Sequence, residues 1–213
     1  MFKTRGLLIT LEGIDGCGKS TQATILARRL ADSGIDFLPL REPGGTAVGE
    51  NIRQVLLDNC YSPSLQAELF LYMAARSELA EQVILPALRD GRIIVCDRFT
   101  DSTLAYQGYG GGVDLDFIRL LNHRATGGIV PQLTILLDLP VEAAAERRGA
   151  SADRMESKDI RFHQRVRNGY LEIARFEPHR VVVIDASGTV EEQGELIWQL
   201  ILELVAAKRT TGF

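Results

Sequence analysis

Short apolar runs alternate along this chain with longer segments in which apolar residues recur every three or four positions. The runs Leu7 to Leu11, Phe37 to Leu40, Ile93 to Cys96, Leu133 to Leu137 and Val181 to Ile184 predict five strands. Three-to-four periodicity predicts helices over Thr21 to Ala31, Gly49 to Leu57, Ser64 to Arg89, Leu115 to Arg124, Val141 to Arg148, Asp159 to Phe176 and Val190 to Ala207. Strands apolar throughout and separated by helices imply an α/β fold, a parallel sheet covered by helices on both faces. Pro39 removes a ladder donor from the second run, which places that strand at a sheet edge. Glycine-rich breaks at Gly44-Gly45, Gly110 to Gly112 and Gly127-Gly128 fall between periodic segments. With no repeat or linker, residues 1–213 form a single expected domain.

At 213 residues and 46% hydrophobic, the chain can bury a sizeable core. A formal net charge of -4 leaves no global positive field for nucleic acid or an anionic membrane, so any anion site must be local. Glu12 ends the first apolar run too early for a secretory signal, and no stretch is long enough to span a bilayer. Cys17, Cys60 and Cys96 are too few and too scattered for a disulfide framework or a zinc site, which fits a reducing cytoplasm. One stretch inverts the charge balance. Arg147 to Arg167 carries six arginines and one lysine against Asp153, Glu156 and Asp159.

The chemistry begins at Gly13-Ile14-Asp15-Gly16-Cys17-Gly18-Lys19-Ser20, a full match to G-x-x-x-x-G-K-[ST] between an apolar strand and a helix, with Thr21 next. Glycines let backbone N–H groups wrap phosphate oxygens, and the helix N-terminus adds partial positive charge. Lys19 is expected to bridge the β- and γ-phosphates of ATP, and the Ser20 hydroxyl to ligate Mg²⁺, a hard cation that prefers oxygen. Asp97, at the carboxyl end of an inner strand, suits the magnesium's outer sphere, although Asp97-Arg98 also reads as a plain ion pair at a strand end. The Asn-Lys-x-Asp motif of switch GTPases and the Ser-Gly-Gly-Gln signature of transport ATPases are both missing. Arg41, Arg53, Arg76 and Arg98 exceed what one phosphate requires and imply a second anion, brought by a phosphoryl acceptor.

Glu12 to Thr21, Arg41-Glu-Pro-Gly-Gly-Thr46, Tyr72-Met-Ala-Ala-Arg76, Asp97-Arg98 with Ser102-Thr-Leu-Ala-Tyr-Gln-Gly108, and Asp153-Arg-Met-Glu156 together resemble, in order and spacing, the bacterial thymidylate kinases. The likeness runs from Leu7 to about Leu204 and implies a P-loop NTPase fold, a five-stranded parallel sheet with a mobile lid. It implies transfer of the γ-phosphate of ATP to dTMP, Mg²⁺ as cofactor, and a homodimer packed through the long helices. Position by position, it implies that Asp15 meets the 3'-hydroxyl of dTMP and that Arg53 and Arg98 hold its phosphate, with Ser102 close by. Tyr72 would stack on thymine and Arg76 would hydrogen-bond the base edge. Tyr106 would crowd the 2' position, with Gln107 nearby, and the loop Asp185 to Gly188 would border adenine. On pattern alone Tyr72 fits a core position, and Arg53 and Arg76 fit solvated helix charges.

The basic stretch then has a task. Arg147, Arg148 and Arg154 flank the small-residue segment Gly149 to Asp153, and a lid inserted over about 147–157 would close them over the transferring phosphate. The resemblance implies the same, because members without an arginine in the P-loop supply it from the lid. A solvated helix end with favourable charge is the plain alternative.

Overall fold

The computed structural model describes residues 6–147 and 153–211. In chain order the elements are β1 (Leu7–Glu12), α1 (Lys19–Asp32), β2 (Phe37–Arg41), α2 (Ala47–Leu57), α3 (Leu65–Leu79), a π-helical turn (Ala80–Ile84) and α4 (Leu85–Arg89). They continue with β3 (Ile93–Asp97), α5 (Thr100–Thr103), a second π-helical segment (Leu104–Gly110), α6 (Leu115–Thr126), β4 (Leu133–Asp138), α7 (Val141–Arg147), α8 (Ile160–Phe176), β5 (Val181–Asp185) and α9 (Val190–Thr211).

The strands form one five-stranded sheet in the order β2-β3-β1-β4-β5, parallel throughout, with Pro39 in an edge strand as expected. Leu7, Ile9 and Leu11 of β1 face a large core on one side, whereas Leu8 joins Ile94, Leu79 and Leu88 on the other. Both faces are therefore covered, which is why the strands read as unbroken apolar runs. Each strand extends one residue beyond its run, onto Glu12, Arg41, Asp97, Asp138 or Asp185. The sheet's carboxyl edge is thus a row of charged side chains. Because β1 crosses over to neighbours on both sides, the crevice of this fold opens at that edge.

Two departures have physical causes. The long helix expected over Ser64 to Arg89 widens at Ala80–Ile84, where Leu85 donates to the Ala80 carbonyl, because Pro86 cannot donate and its ring crowds the preceding turn. The helical segment Thr100–Gly110 had no periodic signal, since nearly every residue in it is buried and amphipathic alternation vanishes.

Candidate active site

The P-loop joins β1 to α1. Gly13 has φ 136°, and a Cβ there would lie 2.5 Å from the Leu137 carbonyl and 2.8 Å from Cys17 Sγ, so only glycine lets the chain turn this tightly against β4. Gly18, also left-handed, caps α1 and frees its first-turn N–H groups. Lys19 is buried and donates to the Gly13 and Ile14 carbonyls, each at 3.0 Å, so its ammonium sits inside the loop it serves. Gly13 to Thr21 otherwise form one continuous curve, of which Asp15 to Thr21 line a cavity of about 650 Å³.

Ser20 Oγ donates to Asp97 Oδ2 at 3.3 Å, which brings the two expected magnesium residues together. Asp97 Oδ1 is buried without a hydrogen-bond partner among the described residues, a costly state for a carboxylate oxygen unless a cation or its water shell meets it. The donor set, one hydroxyl and one carboxylate on a cavity wall, fits a magnesium that keeps most of its waters.

Across the cavity, Arg98 follows β3 with φ 70°, the left-handed region that side chains rarely adopt. That turn aims its guanidinium back over the P-loop. Nη1 donates to Gly13 O, Ser102 Oγ and Tyr170 OH at 3.2 to 3.3 Å, and Nη2 pairs with Asp15 and reaches Tyr106 OH at 3.3 Å. The Tyr106 hydroxyl donates to Asp15 Oδ2 at 2.7 Å. Burial pushes the Asp15 carboxyl up, but Arg98, Lys19 and the Tyr106 hydroxyl outweigh it and hold the group well below the usual carboxylate range. Behind these residues sits Glu12, fully buried, accepting from Phe99 N, Ser102 Oγ and Tyr170 OH.

Tyr72 and Arg53 line the same cavity, Arg53 donating to the Pro43 carbonyl at 2.9 Å. Burial, and then Arg41 close by, lower the Arg53 pKa, the signature of a cationic wall. Gln107 is buried and donates to Glu68 Oε1 at 2.8 Å.

Arg76 is bound up within the fold. It borders the cavity yet is 1% exposed, and all five of its N–H groups are committed: to Glu42 twice, to Thr103 Oγ1, to Asn122 Oδ1 and to the Phe99 carbonyl. A buried guanidinium must be saturated in this way, so Arg76 can meet a base only by giving up one of these partners. Glu42, its partner, is pushed up by burial against that pairing, and its Oε1 has no hydrogen-bond partner among the described residues.

The three lid arginines separate. Arg147 lines the cavity and donates to the Ala186 carbonyl at 3.1 Å. Arg148 lies outside the described residues, as does the segment 149–152. Arg154 is held elsewhere: its backbone N–H donates to Leu57 O, its Nε to Leu56 O at 2.8 Å, and its Nη2 pairs with Glu68 at 2.6 Å. These contacts hold it on α2 and α3, because Glu68, 4% exposed, needs a cation. Gly188 lines the cavity beside Val190 and Gln193, and Gln22 of α1 ties that end down by donating to Val190 O.

Glu12, Tyr170, Glu42 and Glu68 were not singled out from the sequence. A glutamate that closes an apolar strand was a usable signal for the first, since a strand buried on both faces carries its last side chain into the site. Tyr170 and Glu68 offer none, each being one polar tip on a helical face.

Comparison with known proteins is consistent over most of the chain. A family model described as Thymidylate kinase matches residues 11–197. The thymidylate kinase of Geotalea daltonii is 50% identical over 199 residues, 88% of this chain and 92% of that one. A thymidylate kinase of a Synechococcus strain is 50% identical over 196 residues, 92% and 94% respectively. Among solved structures, thymidylate kinase from Ehrlichia chaffeensis superposes with a TM-score of 0.78 at 34% identity, covering 92% of this chain and 98% of that chain.

Proposed function

The chain belongs to the thymidylate kinase family, and from that premise we propose how one cavity seats both of its substrates. The protein is a transferase that phosphorylates dTMP to dTDP with the terminal phosphate of ATP, a step in DNA precursor supply. The observation that carries the seating is continuity: the same cavity is walled by Lys19 and Ser20 at one end and by Arg98, Arg53 and Tyr72 at the other. ATP takes the P-loop end and dTMP the arginine end, which brings the γ-phosphate and the acceptor phosphate face to face.

Phosphoryl transfer asks little covalent chemistry of protein and much alignment and charge stabilisation. Lys19 exchanges its two carbonyl acceptors for phosphate oxygens and carries a full positive charge to where negative charge develops. Ser20 and Asp97 would hold Mg²⁺, which would supply further neutralisation of the phosphate charge. Arg98 and Arg53 hold the acceptor phosphate in line, Asp15 accepts from the 3'-hydroxyl, and Tyr106, already bonded to Asp15, closes the space at the 2' position. Tyr72 stacks on thymine, with Ser102 and Gln107 in the wall behind. Arg76 reads a thymine carbonyl by exchanging its Thr103 bond, since Thr103 also borders the cavity. Arg147 follows the transferring phosphate from the lid side.

We also infer a homodimer through α3 and α6, where Phe70, Phe117 and Leu120 leave large apolar surfaces exposed; sedimentation at the mass of one chain would rule it out. Three free cysteines suit a cytoplasmic enzyme acting on free nucleotides rather than on nucleic acid or membrane. No described helix is long and apolar enough to cross a membrane. The deciding assay couples ADP release to a panel of nucleoside monophosphates. dTMP is expected to give the highest kcat/KM; a preference for dCMP or a purine monophosphate refutes the acceptor seating and leaves the P-loop chemistry standing.

A further inference from the structure

The least explained group near the site is the carboxylate of Glu12, 0% exposed and outside every role assigned above. Its Oε1 accepts the Phe99 N–H at 2.7 Å, while Oε2 accepts the Ser102 hydroxyl at 2.6 Å and the Tyr170 hydroxyl at 2.9 Å. The same two hydroxyl oxygens receive Arg98 Nη1, and they lie 2.8 Å from each other. A hydroxyl has one proton to give. With both protons drawn toward the carboxylate, both oxygens present lone pairs to the guanidinium. We propose that Glu12 is a positioning residue for the acceptor phosphate: by fixing the direction of the Ser102 and Tyr170 hydroxyls it fixes Arg98. This rests on the reading of Arg98 as the phosphate-holding residue.

The converse state shows why the charge matters. A protonated or amidated Glu12 becomes a donor at Oε2, so the two hydroxyl protons are no longer both drawn to it, and a proton turned toward Arg98 meets it donor against donor. Arg98 then loses an acceptor on the side away from the cavity, and its left-handed backbone leaves few other ways to reach the phosphate. The groups facing Glu12 are Arg98 and Phe99 after β3, Asp101 and Ser102 on α5, and Tyr170 on α8, with Asp15 and Tyr106 acting through Arg98. Burial, and after it Asp101, push the Glu12 carboxyl up to about 7 against the opposing pull of Ser102, Arg98 and the Phe99 N–H. The site therefore favours the protonated state more than water does, and the carboxylate is regained as pH rises.

Glu12→Gln, which keeps the shape and imposes the donor, is expected to raise the KM for dTMP on the order of tenfold while the KM for ATP and the melting temperature hold. Between about pH 6 and pH 8 the KM for dTMP of the unaltered enzyme is expected to fall more steeply than that of the variant. The substrate's phosphate ionises in the same range with both proteins, so the difference between the profiles belongs to Glu12. In an Arg98→Gln background the Glu12 change is expected to add nothing. If Arg98→Gln itself leaves the KM for dTMP unchanged, the phosphate reading fails; if Arg98→Gln raises it and Glu12→Gln does not, the positioning role alone fails. A Glu12→Gln protein that melts early and loses kcat with KM intact also overturns the proposal. Should that variant not fold, Tyr170→Phe, which removes one of the two oriented oxygens, is expected to raise KM for dTMP a few-fold, and an unchanged KM there refutes it.

Discussion

The two ends of the cavity are built on opposite principles. At the P-loop end nine consecutive residues, Gly13 to Thr21, supply nearly everything, and they do it mostly with backbone N–H groups whose direction is set by glycine dihedrals and the start of α1. At the acceptor end the parts are side chains from β1, β3, α3, α5, the segment Leu104–Gly110 and α8, tied together by charges that burial would otherwise forbid. A backbone site can lose one side chain and keep its shape. A site made of interlocked buried charges cannot, because each removal strands a partner.

That contrast sets the order of expected losses. Lys19→Met is the largest, on the order of a thousandfold in kcat, or about 4 kcal/mol. Its melting curve is expected to stay close to that of the unaltered enzyme, since the Gly13 and Ile14 carbonyls that Lys19 meets can be taken up by water. Near-normal turnover would remove the P-loop end from the chemistry. Arg76→Ala is expected to do the reverse: stability falls by about 3 kcal/mol or more, because Glu42 is left buried and uncompensated, and activity falls with it. Urea denaturation of Arg76→Ala beside the Arg76→Ala, Glu42→Gln double variant tests this. The second change should recover part of the loss, and equal stability of the two would mean that the acceptor end is not interlocked.

The same contrast explains what could be seen without coordinates. The P-loop motif is contiguous, so Lys19, Ser20 and the glycines stand out in one line of sequence, and Asp97 is found because β3 is a clean apolar run. Edge placement of β2 followed from Pro39 alone. The acceptor end is contiguous nowhere. Arg53 and Arg98 stood out only as surplus arginines, the roles of Arg53, Tyr72, Arg98 and Tyr106 came from family resemblance, and pattern by itself put Tyr72 in the core and Arg53 on the surface. What resemblance does not transmit is the state of each group: that Arg76 has no free N–H, that Arg154 is paired to Glu68, or that Glu12 is fully buried. Those facts arise from which polar atoms happen to meet in three dimensions, and a linear pattern holds no record of them.

The smallest expected effect divides the lid. Arg154 spends its guanidinium on the Leu56 carbonyl and on Glu68, whose other oxygen holds Gln107, so it links the far side of the lid to the wall behind the acceptor. Arg147 lines the cavity and has, among the described residues, a single backbone acceptor, Ala186 O. A side chain held by one neutral carbonyl can turn to a phosphate at little cost, whereas one held by a buried carboxylate must leave that charge unpaired in order to swing. Arg154→Ala is therefore expected to cost about 1–2 kcal/mol of stability and to lower kcat less than Arg147→Ala, which should act on kcat with stability intact. Measuring kcat, the KM for dTMP and the melting temperature for both variants separates the roles. If Arg154→Ala lowers kcat a hundredfold at unchanged melting temperature, the Glu68 pair breaks during turnover and Arg154 reaches the transferring phosphate after all. The acceptor end would then be less rigid than its buried charges imply, and the lid, rather than the wall, would set the geometry of transfer.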